Sequence, residues 1–570
     1  MQNRVLLPKP QLLCMLAVAV TVLVCGSAAS AAPPVRPIAA PKFSSALAFD
    51  VSRPLRDVAA PISNKQLLAD AGEPDEVRPE PELGGVVRDA GFSGDAALQE
   101  DESGLDQVIP GPGLTFEGLR NTDNPRLVAP PDPVGDVGPN HYVEMVNNVF
   151  AIYDKQGNRL VGPSLLGSLW AGFPVTDCSA NSGDPIVLYD QLEDRWLLTQ
   201  FTSAGTNGQY YNCVAISQTG DPTGAYYRYA FPAGVFFPDY PKYGVWTNSY
   251  LLTSRDFGPT VEYGISIYAL EKNKMIAGNP NARAVKFFLD SNLVPLAQIG
   301  DGLLPADVDG TRRPQDHVPA LIVGTQDDNA GYGATFDALN VYELSVQWRA
   351  QPTASLTLTQ LPVAPFDSIF PCTPTSRDCI PQPGVDRGRY LDILSYRQRP
   401  VHRLAYRNFG KYEALVTNQA VEARPGVAGL RWYEIRRSDG QLSVQQQGTY
   451  APEDGVHRWM GSIAMDWQGN IGLGYSVANA TTVFPGIRYT GRLSGDAPGT
   501  MPLGEGVIIN GTGVQQTTNS RWGDYTSMNV DPTDDCKLWY VNEYIQTTGL
   551  AFWQTRIGSF TLPGCVPKGD

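Results

Sequence analysis

Four carboxylates are the residues of this chain best suited to chemistry. Asp136, Asp184 and Asp524 each follow a glycine near the start of a β-rich run (GDVGPNHYVEMVN, GDPIVLYD, RWGDYTSMNVDP), and Glu543 stands in VNEYI. Two carboxyl groups at the right separation can cleave a glycosidic bond, one as general acid and the other as nucleophile or base. Tyr525, beside Asp524, is a further candidate nucleophile. The plainer reading of each Gly-Asp is turn chemistry, with the side chain accepting from backbone amides. Three arginines, Arg407, Arg458 and Arg521, recur in a similar context (YRNFGKYEALVTNQ, HRWMGSIAMD, SRWGDYTSMNVDP). Guanidinium forks bind carboxylates bidentately, so a converging set suits an acidic sugar. Asp239 and Lys242 in DYPKYGVW join the set, and Trp522 offers a face on which a sugar ring stacks. The structural alternative is that each arginine stacks on Trp459 or Trp522, or pairs with an Asp inside the sheet.

These residues need a common centre, and the chain repeats a unit that supplies one. Seven times from about residue 134 onward, an apolar β-rich stretch runs through a turn into a strand built around an aromatic. The closing strands read FAIYD (150–154), YYRYAF (226–231), ISIYALE (265–271), LNVYELS (339–345), LRWYEIR (430–436), GIRYTGRL (486–493) and TRIGSFTL (555–562). One small sheet cannot bury both faces alone, so the pattern predicts an all-β fold, a β-propeller of seven blades over 111–570. Each blade needs only its neighbours, so the domain can exceed the usual single-core size. A pair of immunoglobulin-like sandwiches is the alternative. ALEKNKMIAG near Lys272 is the main helix candidate and falls in a loop. In a propeller the innermost strands line the channel, and the loops leading into them crowd one mouth. Asp136, Asp184, Asp239, Lys242, Arg407, Arg458, Arg521 and Asp524 are expected to share that funnel, where low-dielectric walls focus their fields.

The N-terminus carries a different message. Arg4 and Lys9 precede an apolar run from Leu12 to Cys25 and the small-residue triplet Ala29-Ser30-Ala31. This reads as a signal peptide over 1–31 and predicts a secreted protein, extracellular or periplasmic. Residues 32–110 are rich in Ala, Pro, Asp and Glu and read as a disordered linker or pro-segment. The other six cysteines read as disulfides in an exported chain, paired as Cys178–Cys213, Cys372–Cys379 and Cys536–Cys565. The net charge of −15 argues against nucleic acid and anionic membrane surfaces. No later stretch is apolar enough to span a bilayer, and a monomer is expected.

No cofactor is expected. The four histidines and the lack of CxxC argue against zinc. ADVDGTRRPQD (306–316) could begin a structural calcium loop, but it lacks the downstream Glu and reads as a surface turn. No GxSxG, P-loop, HExxH or CxxCH occurs. YDQLEDRW (189–196) and MDWQGNIGLGY (465–475) read as hairpins.

The runs DPVGDVGPNHYVEMVN, GDPIVLYDQLEDRWLLTQF, DYPKYGVW, RLAYRNFGKYEALV, HRWMGSIAMD and RWGDYTSMNVDPTDDC resemble a family of large exported bacterial proteins, mostly uncharacterised. The resemblance spans about 131–545. It implies export and a propeller-like β fold, and supplies no catalytic residues. Asn418-Gln419 stands where Asn-His would be expected, so no histidine role carries over to Gln419. A more distant analogy is to sialidase propellers, which use a Tyr nucleophile, although the Asp-box pattern of that group is not met.

Three functions remain. The first is a glycan-active enzyme, a hydrolase or lyase working on an acidic polysaccharide, with Asp524, Tyr525, Asp136 and Asp184 as catalytic residues. Arg407, Arg458, Arg521, Lys242 and Trp522 would bind substrate. A lyase would draw its base from Tyr240 or Tyr525. The second is a non-catalytic propeller that binds a glycan, a cell-surface polymer or a protein. The third is a structural surface protein.

Overall fold

The computed structural model describes residues 38–58, 75–76, 94–100, 109–258, 262–315, 317–328, 333–368, 378–393 and 399–568. The β-rich runs form seven antiparallel blades, six of them hydrogen-bonded in chain order from the inside outward, with blades 4 and 5 joined edge to edge through their inner strands. Blade 1 comprises Val134–Val137, His141–Val146, Val149–Asp154 and Arg159–Leu165; blade 2, Ile186–Asp190, Arg195–Phe201, Tyr210–Ser217 and Tyr226–Gly234. Blade 3 comprises Phe237–Val245, Ser249–Phe257, Glu262–Glu271 and Arg283–Asp290; blade 4, Leu304–Asp309, Ala320–Gln326, Ala338–Gln347 and Thr353–Pro362. Blade 5 comprises Val401–Asn408, Glu413–Arg424, Val427–Ser438 and Gln441–Tyr450; blade 6, His457–Met465, Ile471–Ala478, Gly486–Arg492 and Gly506–Ile509. Blade 7 takes Ser527–Val530, Lys537–Ile545 and Trp553–Thr561 from the C-terminus. Its outer strand, Leu114–Arg120, comes from the other end of the chain, with Thr115 opposite Gly558.

The first strands of successive blades touch one another in order, and blade 7 returns to blade 1, so the ring is closed. Between blades 4 and 5 the contact is a true parallel ladder, Ala306–Asp309 against Leu404–Arg407. The predicted seven-bladed propeller is therefore present. The aromatic strands are not the closing ones, however. Six of the seven are the third strand of their blade, and only 226–231 is a fourth. The third strand is buried on both faces, which is why its aromatics stand out, whereas outer strands such as Thr353–Pro362 alternate and are half exposed.

Blades pack face to face through aromatics set against glycines. In Ile471–Ala478 glycine alternates with Ile, Leu and Tyr, and a Cβ at Gly474 would lie 2.5 Å from the Tyr540 ring of blade 7. Both predicted hairpins form, Tyr189 opposite Trp196 and Met465 opposite Ile471. The short helix Lys272–Ile276 lies in a loop of blade 3.

The linker reading of 32–110 does not hold for its described parts. Lys42–Ser45 adds a fifth strand to blade 3, and Ala48–Val51 does the same for blade 2. Arg228 grips Asp50 at 2.6 Å. Further on, Asp95 is wholly buried against Arg431. KFSSALAFDV offers β-forming alternation too short to be read as a strand without its partner edges. Residues 1–31, read from sequence as a signal peptide, lie outside the described residues.

Cys178–Cys213 and Cys536–Cys565 are disulfides, as expected. Cys379 is also disulfide-bonded, while Cys372 lies outside the described residues. Disulfides belong to oxidising compartments. Among the described residues, no helix is long and apolar enough to cross a membrane.

Candidate active site

All seven inner strands begin on one face of the ring, here the start face, and finish on the end face. Near their beginnings, non-glycine residues adopt left-handed backbone: Asp132 (φ 49°), Asp184 (φ 45°), Tyr240 (φ 52°), Met460 (φ 47°) and Ser520 (φ 60°). The first three each precede a proline. For Tyr and Met the conformation costs on the order of 1–3 kcal/mol and persists only where its surroundings enforce it. Strain of this kind gathers at functional sites.

At the axis these turns assemble a buried polar cluster. Lys242 is its centre. Its ammonium lies 3.1 Å from the centroid of the Tyr240 ring and 3.5 Å from that of Tyr525. The side chain is fully buried and makes no hydrogen bond. Burial pulls its pKa well below that of a free amine, against the opposing field of Asp184, Asp524 and Asp132. The Tyr525 hydroxyl sits 3.1 Å from Asp184 Oδ2 and 3.2 Å from the Pro241 carbonyl.

A chain of hydrogen bonds then runs through three blades. The Asp184 amide donates to Asn147 Oδ1 (2.9 Å), and Asn147 donates to Asp132 Oδ2 (2.6 Å). Asp132 Oδ1 accepts from the Asp524 amide (2.6 Å). Both Asp524 oxygens face Arg521 Nη2, at 2.9 and 3.0 Å, and Arg521 Nε lies 3.6 Å from Asp392. Burial, reinforced by Asp524, pushes the Asp132 carboxyl up to about 7. Burial, with Asp239, Asp132 and Asp524 nearby, raises Asp184 well above the usual carboxylate range. Glu543 accepts from the Gly523 amide and is raised by burial, with Asp132 and Asp524 adding to the effect. His402, from blade 5, is buried with Nε2 unpartnered. Burial and the charges of Lys242 and Arg403 keep its imidazole neutral.

The start face thus unites Asp184, Asp524, Tyr525, Lys242, Arg521 and Glu543, with Tyr240 and Asp239 beside them. The other expected members are elsewhere. Asp136 lies deeper, its two oxygens accepting the amides of Val137 and Tyr189 and so stitching blade 1 to blade 2. Arg407 finishes its strand on the end face, with Nη2 2.7 Å from Asp535. Arg458 turns into blade 6, where Asp454 and Glu505 each take it at 2.7 Å. Trp522 is sealed between blades, 5.4 Å from Trp459 and donating to Ser476. It therefore presents no face to a sugar. The three-arginine funnel does not exist, because inner-strand side chains alternate between the channel and the neighbouring sheets.

The 306–316 segment is corrected as well. Ala306–Asp309 is a buried inner strand, and only the residues that follow it, 310–315, form the surface turn that was expected. Arg403 holds Asp307 and both oxygens of Asp309 at 2.8–2.9 Å. Elsewhere, carboxylate oxygens of Asp327, Asp328 and Asp337 gather within 4.8 Å. Asp327 and Asp337 accept the amides of Asp328, Phe366 and Ser368, which accounts for their placement.

Sequence reading missed Asp132, Asn147 and His402. The repeated Asp-Pro at Asp132 and Asp184 is the signal that marks the first. His402 carries none, since one histidine in an apolar strand has no spacing partner.

No family model matches this chain, and no curated protein matches it. Among solved structures it is similar to an unknown-function protein from Dyadobacter fermentans, at 9% identity over 82% of this chain and 98% of that one, with a TM-score of 0.29. It is also similar to an endo-arabinase from Bacteroides thetaiotaomicron, at 14% identity over 56% and 95%, TM-score 0.25. A Trypanosoma rangeli sialidase matches at 10% identity over 58% and 56%, TM-score 0.26. These likenesses are slight, and the functional argument rests on the chain's own residues.

Proposed function

We propose that this chain is an exported glycan-active enzyme, a hydrolase whose reaction centre is the start-face cluster around Lys242. The observation that carries this is the mixture of protonation environments within one cluster. Burial beside other carboxylates favours the protonated form of Asp184, whose hydroxyl partner is Tyr525, while Asp524 is paired with Arg521. Opposed carboxyl environments are what acid–base division of labour requires. In this reading Asp184 gives its proton to the glycosidic oxygen, and Tyr525 donates to Asp184 as its positioning partner. Burial and the adjacent carboxylates hold the proton on Tyr525, which suits a donor better than a nucleophile. Asp524, oriented by Arg521, takes a proton from the attacking water or attacks the anomeric carbon itself. Lys242, lacking an acceptor, receives a carboxylate of an acidic polysaccharide.

The test is product release from a panel of neutral and acidic polysaccharides by the wild type, Asp184→Asn and Asp524→Asn, with thermal melts as a fold control. Cleavage that both substitutions abolish supports the reading. Undiminished cleavage by either variant with an intact fold removes that residue from the mechanism. A second reading, a glycan-binding propeller without catalysis, draws support from the burial of the cluster and the internal pairing of Arg458. It predicts measurable glycan affinity with no product from any member of the panel.

A further inference from the structure

The end face carries a separate cleft of about 380 Å³, lined by Asp309, Gly310, Thr311, Arg312, Arg407, Asn408, Phe409, Trp467, Asp535 and Lys568. Of these, Thr311, Arg312 and Lys568 are exposed, and Asn408, Phe409 and Trp467 are half-buried. We propose that this cleft binds a carboxylated sugar, an assignment that does not depend on hydrolysis at the start face.

Charge is the first argument. The chain carries a net −15, yet three cations converge here. The two acids of the cleft are already engaged: Asp309 by Arg403 from the channel side, and Asp535 by Arg407 at 2.7 Å. Arg407 is 5% exposed. Its Nε donates to the Met465 carbonyl, and its Nη1 lies against Gly310. A Cβ at Gly310 would lie 2.6 Å from that Nη1, so the glycine lets the loop close over the guanidinium. Arg312 makes no ion pair among the described residues. Its Nη1 would lie 1.8 Å from a Cβ at Gly410, so it rests directly on that glycine, beside Phe409. Lys568 reaches Thr311 Oγ1 at 3.1 Å and stays 3.9 Å from Asp535. Donors are therefore left over for an anion.

Shape is the second argument. Phe409 and Trp467 give the cleft aromatic surface, and aromatic faces beside guanidinium forks suit a flat, carboxylate-bearing ring. The wall is fixed. The Trp467 indole donates to the Val566 carbonyl (2.9 Å), and Val566 donates to Gln468 (3.0 Å). The Cys536–Cys565 disulfide ties the same tail to blade 7.

The experiment is calorimetric titration of the full chain carrying Asp524→Asn, which keeps cleavage out of the reading. The probes are oligogalacturonate, a maltooligosaccharide of equal length, and acetate. We expect heat with oligogalacturonate alone. Arg312→Ala combined with Lys568→Ala should weaken that affinity by about tenfold or more, and Trp467→Ala should weaken it while the melting temperature holds. Equal affinity for the neutral oligosaccharide, an equal response to acetate, indifference to all three substitutions, or no binding would each overturn the proposal. None of these outcomes bears on hydrolysis, which the polysaccharide panel tests separately.

Discussion

The Lys242 ammonium lies 3.1 Å from the centre of the Tyr240 ring and has no hydrogen-bond acceptor. A cation over an aromatic face gains roughly 2 kcal/mol when desolvated, less than the cost of burying an unpaired charge. The arrangement is thus poor as a stabilising device. Lys242→Met should leave the melting temperature unchanged or higher. It should also cut turnover of an acidic polysaccharide by about 10²-fold, as loss of one preorganised charge does. Unchanged turnover would take Lys242 out of the site.

Glu144 yields a pH prediction. It is fully buried where blade 1 meets blade 7, accepting from the Leu119 amide (3.0 Å), the Tyr153 hydroxyl (3.2 Å) and Thr555. Burial raises its carboxyl from 4.5 to about 7. A folded-state value above the unfolded one means that the protonated form is favoured in the fold. Its contribution is complete below pH 4.5 and is lost as pH rises through about 7. Glutamine copies the protonated carboxyl, with an amide to donate toward Thr555 and an oxygen for the other two donors. Glu144→Gln should match the wild type at pH 5 and exceed it at pH 8, by at most about 3 kcal/mol. Parallel urea titrations at the two values check this, and a constant difference between the proteins would refute it.

Arg403 sits mid-channel with Asp307 and Asp309 as its partners, all three almost fully buried. Removing one partner of a buried pair leaves charge uncompensated and costs about 3–5 kcal/mol. Arg403→Met should show a loss of that order in urea unfolding. Adding Asp309→Asn should recover part of it, because one orphaned carboxylate is then gone.

Ring closure depends on Leu114–Arg120, the only strand of blade 7 that precedes blade 1. A chain beginning at Asn121 leaves the edge of Trp553–Thr561 open. Such edges pair with other chains. The chain beginning at Asn121 should aggregate on size-exclusion chromatography, while one beginning at Gly113, which also lacks the added strands of blades 2 and 3 but keeps Leu114–Arg120, should do so less.

Much of the ring was legible because inner and third strands carry unbroken apolar runs with aromatics, and seven of them recur. The destination of individual arginines was not. Arg458 and Arg521 look alike in sequence, each followed by Trp. One meets Glu505 from its own blade, and the other turns to Asp524 three residues on. That choice depends on strand register, which local sequence does not encode. The carboxylates separated in the same way. Asp184 reached the cluster, and Asp136, four residues past the matching Asp132, became an inter-blade staple. The strands at 42–51 were hidden because their stability lies in edges more than 170 residues away.

The closure of blade 7 also imposes a chronology. During synthesis, residues 114–120 are made long before their partner Trp553–Thr561. The final blade therefore cannot be finished until Trp553–Thr561 has been made, and the circle can lock only after that strand is available. A protein built this way stays threadable until late.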